Sequence, residues 1–346
     1  MNDAIIDLQR TNSSRSNLYR TRGFNGGEVL VPLEVDDASD PYLKLTSDSA
    51  IRDYYLENGY VVVRNVIPKE LCRIAMRTFE AQLKGFKGHL YRQPSSGKAE
   101  THKFTPSGYV ENSILNVHDL RSSQFGAFKS NSLQVLTHEN LQRALKVFLG
   151  EPGALVQSMY FEGNPSTWPH QDTYYLDSEH IGSLVAAWVA VEDIRPGAGR
   201  FYVYPGSHKI DIKKNGGDFD IAFNHERYKN LTVSVIDRNN LKLHAPALRQ
   251  GDVLFWNSKT IHGSLPTTQS EYSRSSFTGH YIPESHRFLQ FQSRIKKFRN
   301  QIVNKMRVNH PKDQDQLGNR LMFGLETKFP RAFQALKSVA IKIVTH

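Results

Sequence analysis

The chain has 346 residues, 39% hydrophobic and 23% charged, with one cysteine and a formal net charge of +10, enough to bury a sizeable core in one large domain or two small ones. The lone Cys72 excludes an internal disulfide framework and any multi-cysteine zinc site, and points to a reducing, cytoplasmic setting. No apolar run reaches the roughly 18–20 residues of a membrane span, and nothing at the N-terminus resembles a signal peptide.

The charge is unevenly placed. Residues 291–346 hold 12 Lys+Arg against 3 Asp+Glu, or +9; the remaining 290 residues hold 32 against 31, or +1. The basic balance therefore belongs to the tail, and no nucleic-acid partner is expected for the rest.

In chain order, residues 1–45 read as a polar arm, left mobile or laid across the domain as a cover. Ser47 or Ser49 caps a short helix ending at Gly59. "YVVVRNV" follows as a strand. Pro68 starts a second helix with Leu71, Ile74, Ala75, Phe79 and Leu83 on one face. Residues 85–130 give no clear pattern. "LQVLTHENLQRALKVFLG" reads as one helix closed by Gly150. Beyond it come short apolar or alternating runs punctuated by Gly and Pro, including "ALVQSMYFE", "LVAAWVAVEDI", "RFYVYPGSH" and "GDVLFWN". These predict a β-sandwich or jelly roll. In the tail, Phe291, Ile295, Phe298, Ile302 and Met306 fall at helical spacing. Pro311 ends that helix and Pro330 opens another. Their apolar stripes would pack on the domain or on a second subunit, or offer a peripheral contact to anionic lipid.

"WPHQDTYY" carries the first chemistry. With 14 His and 34 acidic residues, about 1.4 His-x-acid pairs are expected by chance, so His170 and Asp172 need company. On a strand, positions i and i+2 share a face and reach one ion. His262, shortly after the strand "VLFW", supplies a third ligand. Two His and one carboxylate suit the facial triad of non-haem Fe(II) oxygenases, and zinc as well. Arg274 separates these readings, because a permanently charged guanidinium binds a carboxylate in bidentate fashion, as the distal carboxylate of 2-oxoglutarate requires. Ser264 adds a hydroxyl.

"ENGYVVVRNVIPKEL", "HQD", "AAWVAVEDI", "YPGSHK", "GDVLFWNSKTIHGS" and "RSSFTGHY" occur in that order over residues 47–287. Together they resemble the phytanoyl-CoA dioxygenase-like branch of Fe(II)/2-oxoglutarate oxygenases. The resemblance implies a mainly β fold with flanking helices, built on a double-stranded β-helix (jelly roll, cupin-like). It implies Fe(II) on His170, Asp172 and His262, and 2-oxoglutarate held by Arg274 and Ser264, with Trp188 and Gln157 also contacting this cosubstrate. O2 is the second cosubstrate, and the implied reaction hydroxylates a C–H bond of a small molecule while 2-oxoglutarate becomes succinate. Asp172 argues against halogenation, where a small residue replaces the carboxylate. Rival readings are a metal-dependent hydrolase or isomerase, and a non-catalytic binding module of the same fold.

Residues 46–290 would form the oxygenase domain, with 291–346 a basic helical extension. Tyr174, Tyr175, Trp168 and Tyr202 are candidates to line a substrate pocket. Arg200 departs from the resembled pattern: it points to solvent or enters the cavity to meet an anionic or carrier-conjugated substrate. His208, His180, His244 and His280 are expected to be structural, satisfied or solvated.

Overall fold

The structure, a computed structural model, describes residues 17–36, 40–93, 99–212, 225–292, 294–331 and 333. The described part of the arm is an antiparallel hairpin of β1 (Leu18–Arg22) and β2 (Glu28–Pro32). Its Val31 packs with Tyr202, Ala245 and Leu265 in a small cluster apart from the main core.

α1 (Asp48–Asn58) is capped by Ser47, whose Oγ accepts the Ala50 N–H at 3.1 Å. It ends at Gly59, where φ is +76°. A Cβ at Gly59 would also strike the His208 ring and Thr260, so this tight exit needs glycine twice over. His208 bonds the Leu56 carbonyl oxygen and holds this corner. β3 (Tyr60–Val63) and α2 (Lys69–Phe79) follow, the latter burying Cys72, Ala75 and Phe79.

The stretch without a clear pattern holds β4 (Leu90–Tyr91), β5 (Ala99–Glu100), β6 (Ile114–Leu115) and the start of α3 (Ser122–Leu136). The single helix expected over residues 133–150 is broken. α3 stops at Leu136, and His138 starts α4 (Glu139–Leu149) by accepting the Asn140 N–H on its ring. A local cap outcompetes continuation there.

The strands run β7 (Gly153–Phe161), β8 (Thr167–His170), β9 (Leu176–Ser178), β10 (Val185–Ala190) and β11 (Phe201–Val203). After α5 (His225–Arg238) come β12 (Val253–Asn257), β13 (His262–Ser264), β14 (Ser276–Pro283) and β15 (Phe288–Gln290). A central sheet has the order β7-β14-β10-β12-β3, with β6 also on β7 and two C-terminal strands added beyond β7. Helices α2, α3 and α4 share its main hydrophobic core. A three-stranded sheet, β11-β13-β8, carries the candidate residues His170, His262 and Ser264. The architecture is thus a mixed α/β fold, a central sheet with flanking helices. Among the described residues the hydrogen-bonded sheets stay separate and do not close into a barrel.

The tail differs from expectation. In place of a helix over residues 291–306 there are β16 (Arg294–Lys296), β17 (Arg299–Val303) and β18 (Met306–His310). Asn304 and Lys305 both have positive φ, +48° and +67°, which turns β17 tightly into β18. β18 then joins the central sheet parallel to β7, burying Met306 and Val308. Apolar residues four apart satisfied a helical pattern, but β-branched Ile295, Ile302, Val303 and Val308 favour strands. A helix, α6 (Leu317–Lys328), does occur further on. The helix expected to open at Pro330 lies almost wholly outside the described residues.

Candidate active site

His170 is the last residue of β8, and Asp172 opens a short 3-10 turn after it. The intervening Gln171 points away, its side-chain amide donating to the Lys259 carbonyl. β13 pairs with β8 so that His262 lies directly opposite His170, and the two rings are 4.3 Å apart at their centroids. The strand register therefore brings together residues about ninety positions apart.

Each histidine is oriented by the same device. His170 Nδ1–H donates to the Trp168 carbonyl at 2.8 Å, and His262 Nδ1–H donates to the Thr260 carbonyl at 2.9 Å. Both Nε2 lone pairs are left to face Asp172, whose Oδ1 lies 3.9 Å from His170 Nε2 and 3.5 Å from His262 Nε2. A backbone carbonyl on one nitrogen fixes the tautomer that a metal ligand needs on the other. Burial pushes His170 down to about 4 and lowers His262 too, so both are neutral at physiological pH. Burial alone would raise Asp172, but His262, His280 and His170 outweigh it and hold its carboxyl well below the usual range. Two neutral imidazoles and one carboxylate, with ligand atoms within 4.8 Å of one another, could hold a divalent cation.

Two residues absent from the sequence-based candidates complete this group. Trp256 Nε1–H donates to Asp172 Oδ2 at 2.9 Å, and His280 Nε2 lies 3.4 Å from the same oxygen. Ala186 explains their placement: it pairs with Trp256 on β12 and with His280 on β14. Side chains directly across a ladder share a face, so both flank Asp172 over a small residue. His280 is thus neither solvated nor fully satisfied: it is buried against Asp172, with Nδ1 lacking a partner among the described residues. Phe201 also faces inward, stacked on His262 at 5.4 Å and 23°.

Arg274 is 2% exposed. It donates to the Gly199 carbonyl at 3.1 Å, and its guanidinium lies over Phe161 and Trp188 at 5.3 and 5.8 Å. No carboxylate pairs with it among the described residues, its Nε is unpartnered, and burial pushes its pKa down to about 9. A buried cation held without a counter-ion fits an incoming carboxylate. Ser264 sits two residues along β13 from His262. Its Oγ accepts the Thr167 N–H at 2.8 Å, leaving its own O–H to donate. Gln157 pairs with His280 across β7 and β14, and so shares its face.

The remaining candidates separate. Tyr175 stands edge-on to His170 at 6.0 Å and bonds His225 at 2.9 Å. Trp168 lies against both His170 and His225. Tyr174 instead is buried against Tyr228 of α5 at 4.5 Å. Tyr202 faces away from His262, because it alternates with Phe201 along β11 and joins the hairpin cluster of Val31. Arg200 neither meets solvent nor enters the cavity. It is 1% exposed and its guanidinium donates to the carbonyls of Ile194, Pro32 and Leu33, tying down the end of β2.

His118, Asp119 and His310 form a second grouping of metal-ligand types. His118 spends both nitrogens, Nδ1 with Ser158 Oγ and Nε2 on the Asn309 carbonyl, while His310 Nδ1 pairs with Asp119. An Nε2 that donates to a carbonyl has no lone pair for a metal, so this group clasps β18 to the segment before α3.

Two oriented imidazoles, a carboxylate and an uncompensated guanidinium define a class, the non-haem Fe(II)- and 2-oxoglutarate-dependent oxygenases. The Phytanoyl-CoA dioxygenase (PhyH) family matches residues 55–276, well over half of the chain. The chain belongs to that family. It is 23% identical over 246 residues to bovine "Phytanoyl-CoA dioxygenase, peroxisomal", covering 66% of this chain and 67% of that protein. The zebrafish (Danio rerio) "Phytanoyl-CoA dioxygenase domain-containing protein 1" is 30% identical over 137 residues, 37% of this chain and 44% of that one. In structure it is similar to the non-heme alpha ketoglutarate dependent carbocyclase SnoK from nogalamycin biosynthesis. The TM-score is 0.51 at 17% identity, over 70% of this chain and 87% of that one. Apo EctD from S. alaskensis gives a TM-score of 0.50 at 14% identity, over 85% of this chain and 95% of that one. These likenesses show the fold.

The relatives also correct one expectation. A cytoplasmic setting is overturned by the bovine, human and rat relatives, which are peroxisomal by name. Cys72 is buried and free; an absence of disulfides reports redox state and does not choose among compartments that lack them.

Proposed function

We propose that the protein hydroxylates a C–H bond of a small molecule, with His170 Nε2, His262 Nε2 and Asp172 Oδ1 holding Fe(II). Arg274 and Ser264 receive the distal carboxylate of 2-oxoglutarate, over a floor formed by Trp188, with Gln157 on the same side. Iron, 2-oxoglutarate and O2 supply the chemistry: one oxygen atom enters the substrate as C–OH, the other enters succinate, and CO2 leaves. The chain's own part is positioning and exclusion of water. The Trp168 and Thr260 carbonyls aim the imidazoles, while Trp256 and His280 occupy Asp172 Oδ2 and leave Oδ1 for the cation.

In this reading the central sheet and the β11-β13-β8 sheet are the two faces of a double-stranded β-helix, and the oxygenase unit expected over residues 46–290 extends to His310, because β17 and β18 belong to the central sheet. Trp168, Tyr175 and His225 make an aromatic mouth beside His170, which suits a substrate with an apolar face. Arg200 does not select an anionic substrate, since its charge is spent on backbone carbonyls. The observation that carries the proposal is the pairing of two Nε2 lone pairs on Asp172 with a buried Arg274 that lacks a carboxylate. A hydrolase has no use for the second half of that pairing. The test is a compound screen for stimulated succinate release. Hits should lose the stimulation in Asp172→Ala; stimulation surviving in that variant would place the chemistry elsewhere.

A further inference from the structure

α6 is the one α-helix among the described residues that buries none of its residues. It is held on one side only: the Phe323 ring meets Tyr91 edge-on at 5.1 Å, and Glu326 accepts the Tyr91 hydroxyl at 3.1 Å. Opposite that side lie Leu317, Leu321, Leu325 and Phe329, four residues apart, with Met322 beside them. They are 63%, 61%, 47%, 60% and 52% exposed respectively. At 3.6 residues per turn these five cover an arc of about 140°. Single exposed leucines need no explanation, but five large apolar side chains on one arc do.

The surroundings are basic. Lys328 and Arg331 are exposed, and no Asp or Glu follows Glu326. Arg294, Lys296, Lys297 and Arg299 on and beside β16 and β17 are exposed too, with Ile295 at 41% and Ile302 at 61%. Arg299 pairs with Asp313 at 3.4 Å, close to the start of α6, whose Asn319 donates to the Asp313 carbonyl. Asp313 thus joins β17 to the start of α6.

We propose that α6 and the adjoining β16–β17 edge dock on an anionic lipid bilayer, with α6 lying in the interface. A wide apolar arc with Lys328 near its edge and Arg331 just beyond the helix end is the pattern of an interfacial helix: the arc enters the acyl boundary and the cations meet acidic headgroups. The charge distribution selects lipid over an apolar protein partner, because the +9 of residues 291–346 sits on a chain otherwise near neutral. This inference is independent of the reaction at the metal site.

The test is sedimentation of the full chain with vesicles of phosphatidylcholine alone, or with about one third phosphatidylserine, at physiological salt. Binding to the anionic vesicles is expected to be at least tenfold tighter, at about fivefold per basic residue engaged. Leu321→Glu with Leu325→Glu should lower it at least tenfold; Lys328→Glu with Arg331→Glu should do so by a similar factor. All four positions are exposed, so unchanged circular dichroism is the folding control. Equal binding to both vesicle types, or full binding by the leucine variant, overturns the proposal. So does a wild-type dimer that ignores vesicles and dissociates in the leucine variant, which would make this face a contact between copies.

Discussion

Replacing Arg274 by methionine separates two things the side chain does. Burial moves its pKa from 12.5 to about 9, which at about 1.4 kcal/mol per unit corresponds to about 5 kcal/mol for holding the charge without a counter-ion. The bond to Gly199 returns roughly 1.5–3 kcal/mol and the faces of Phe161 and Trp188 about 0.5–2 kcal/mol each. The terms nearly cancel, so Arg274→Met should leave ligand-free stability within about 2 kcal/mol of wild type. Binding should behave differently. Losing one partner of a buried ion pair costs about 3–5 kcal/mol, so 2-oxoglutarate should bind roughly 150- to 5,000-fold more weakly. The assay is denaturant unfolding with Mn(II), without oxygen, with and without 2-oxoglutarate. At a hundred times its Kd the cosubstrate should add about 2.7 kcal/mol to wild type and almost nothing to the variant at the same concentration. Undiminished stabilisation in Arg274→Met would refute the carboxylate assignment. A ligand-free loss above about 4 kcal/mol would show that Arg274 is instead a structural keystone.

Trp256→Phe removes the donor on Asp172 Oδ2 while keeping most of the ring, and should weaken Mn(II) binding by roughly 10–100-fold. Titration followed by electron paramagnetic resonance reads this, and unchanged affinity would mean that the bond orients nothing. His118 has a folded pKa lowered by burial from 6.5 to about 4. Between those values the unfolded chain takes up a proton that the folded chain does not. Stability should therefore fall as pH drops through this window, by about 3 kcal/mol for this one group. His118→Gln, which retains a donor for the Asn309 carbonyl, should flatten that slope in urea titrations at pH 7 and pH 5; an equal slope would assign the acid lability elsewhere.

Much of the candidate site was legible because its residue types sit in short local patterns. Ser47 and Gly59 bracket α1 as capping rules require. His170, Asp172, His262 and Arg274 stand out by residue type, though Asp172 lies on a turn and not on the strand that was expected. Trp256 and His280 were missed because their link to Asp172 passes through Ala186, and cross-strand register is not written in either segment alone. One signal was available: His280 is six residues from Arg274, an even spacing that puts both on one face of an extended strand. Parity along β11 would likewise have set Phe201, rather than Tyr202, toward His262 once either was known to face it. Arg200 misled for a different reason. A charged side chain suggests a charged partner, whereas here three backbone carbonyls serve. In the tail, spacing by four was shared by a helix and by two strands joined at Asn304 and Lys305, and the turn decided between them.

The central claim is a chelate of Fe(II) and 2-oxoglutarate at His170, Asp172 and His262, and its visible absorption tests it most directly. Wild-type protein given Fe(II) and 2-oxoglutarate without oxygen should develop a charge-transfer band that needs both additions and is lost in His262→Ala. No band from wild type that demonstrably holds iron, or the same band from His262→Ala, would contradict the account.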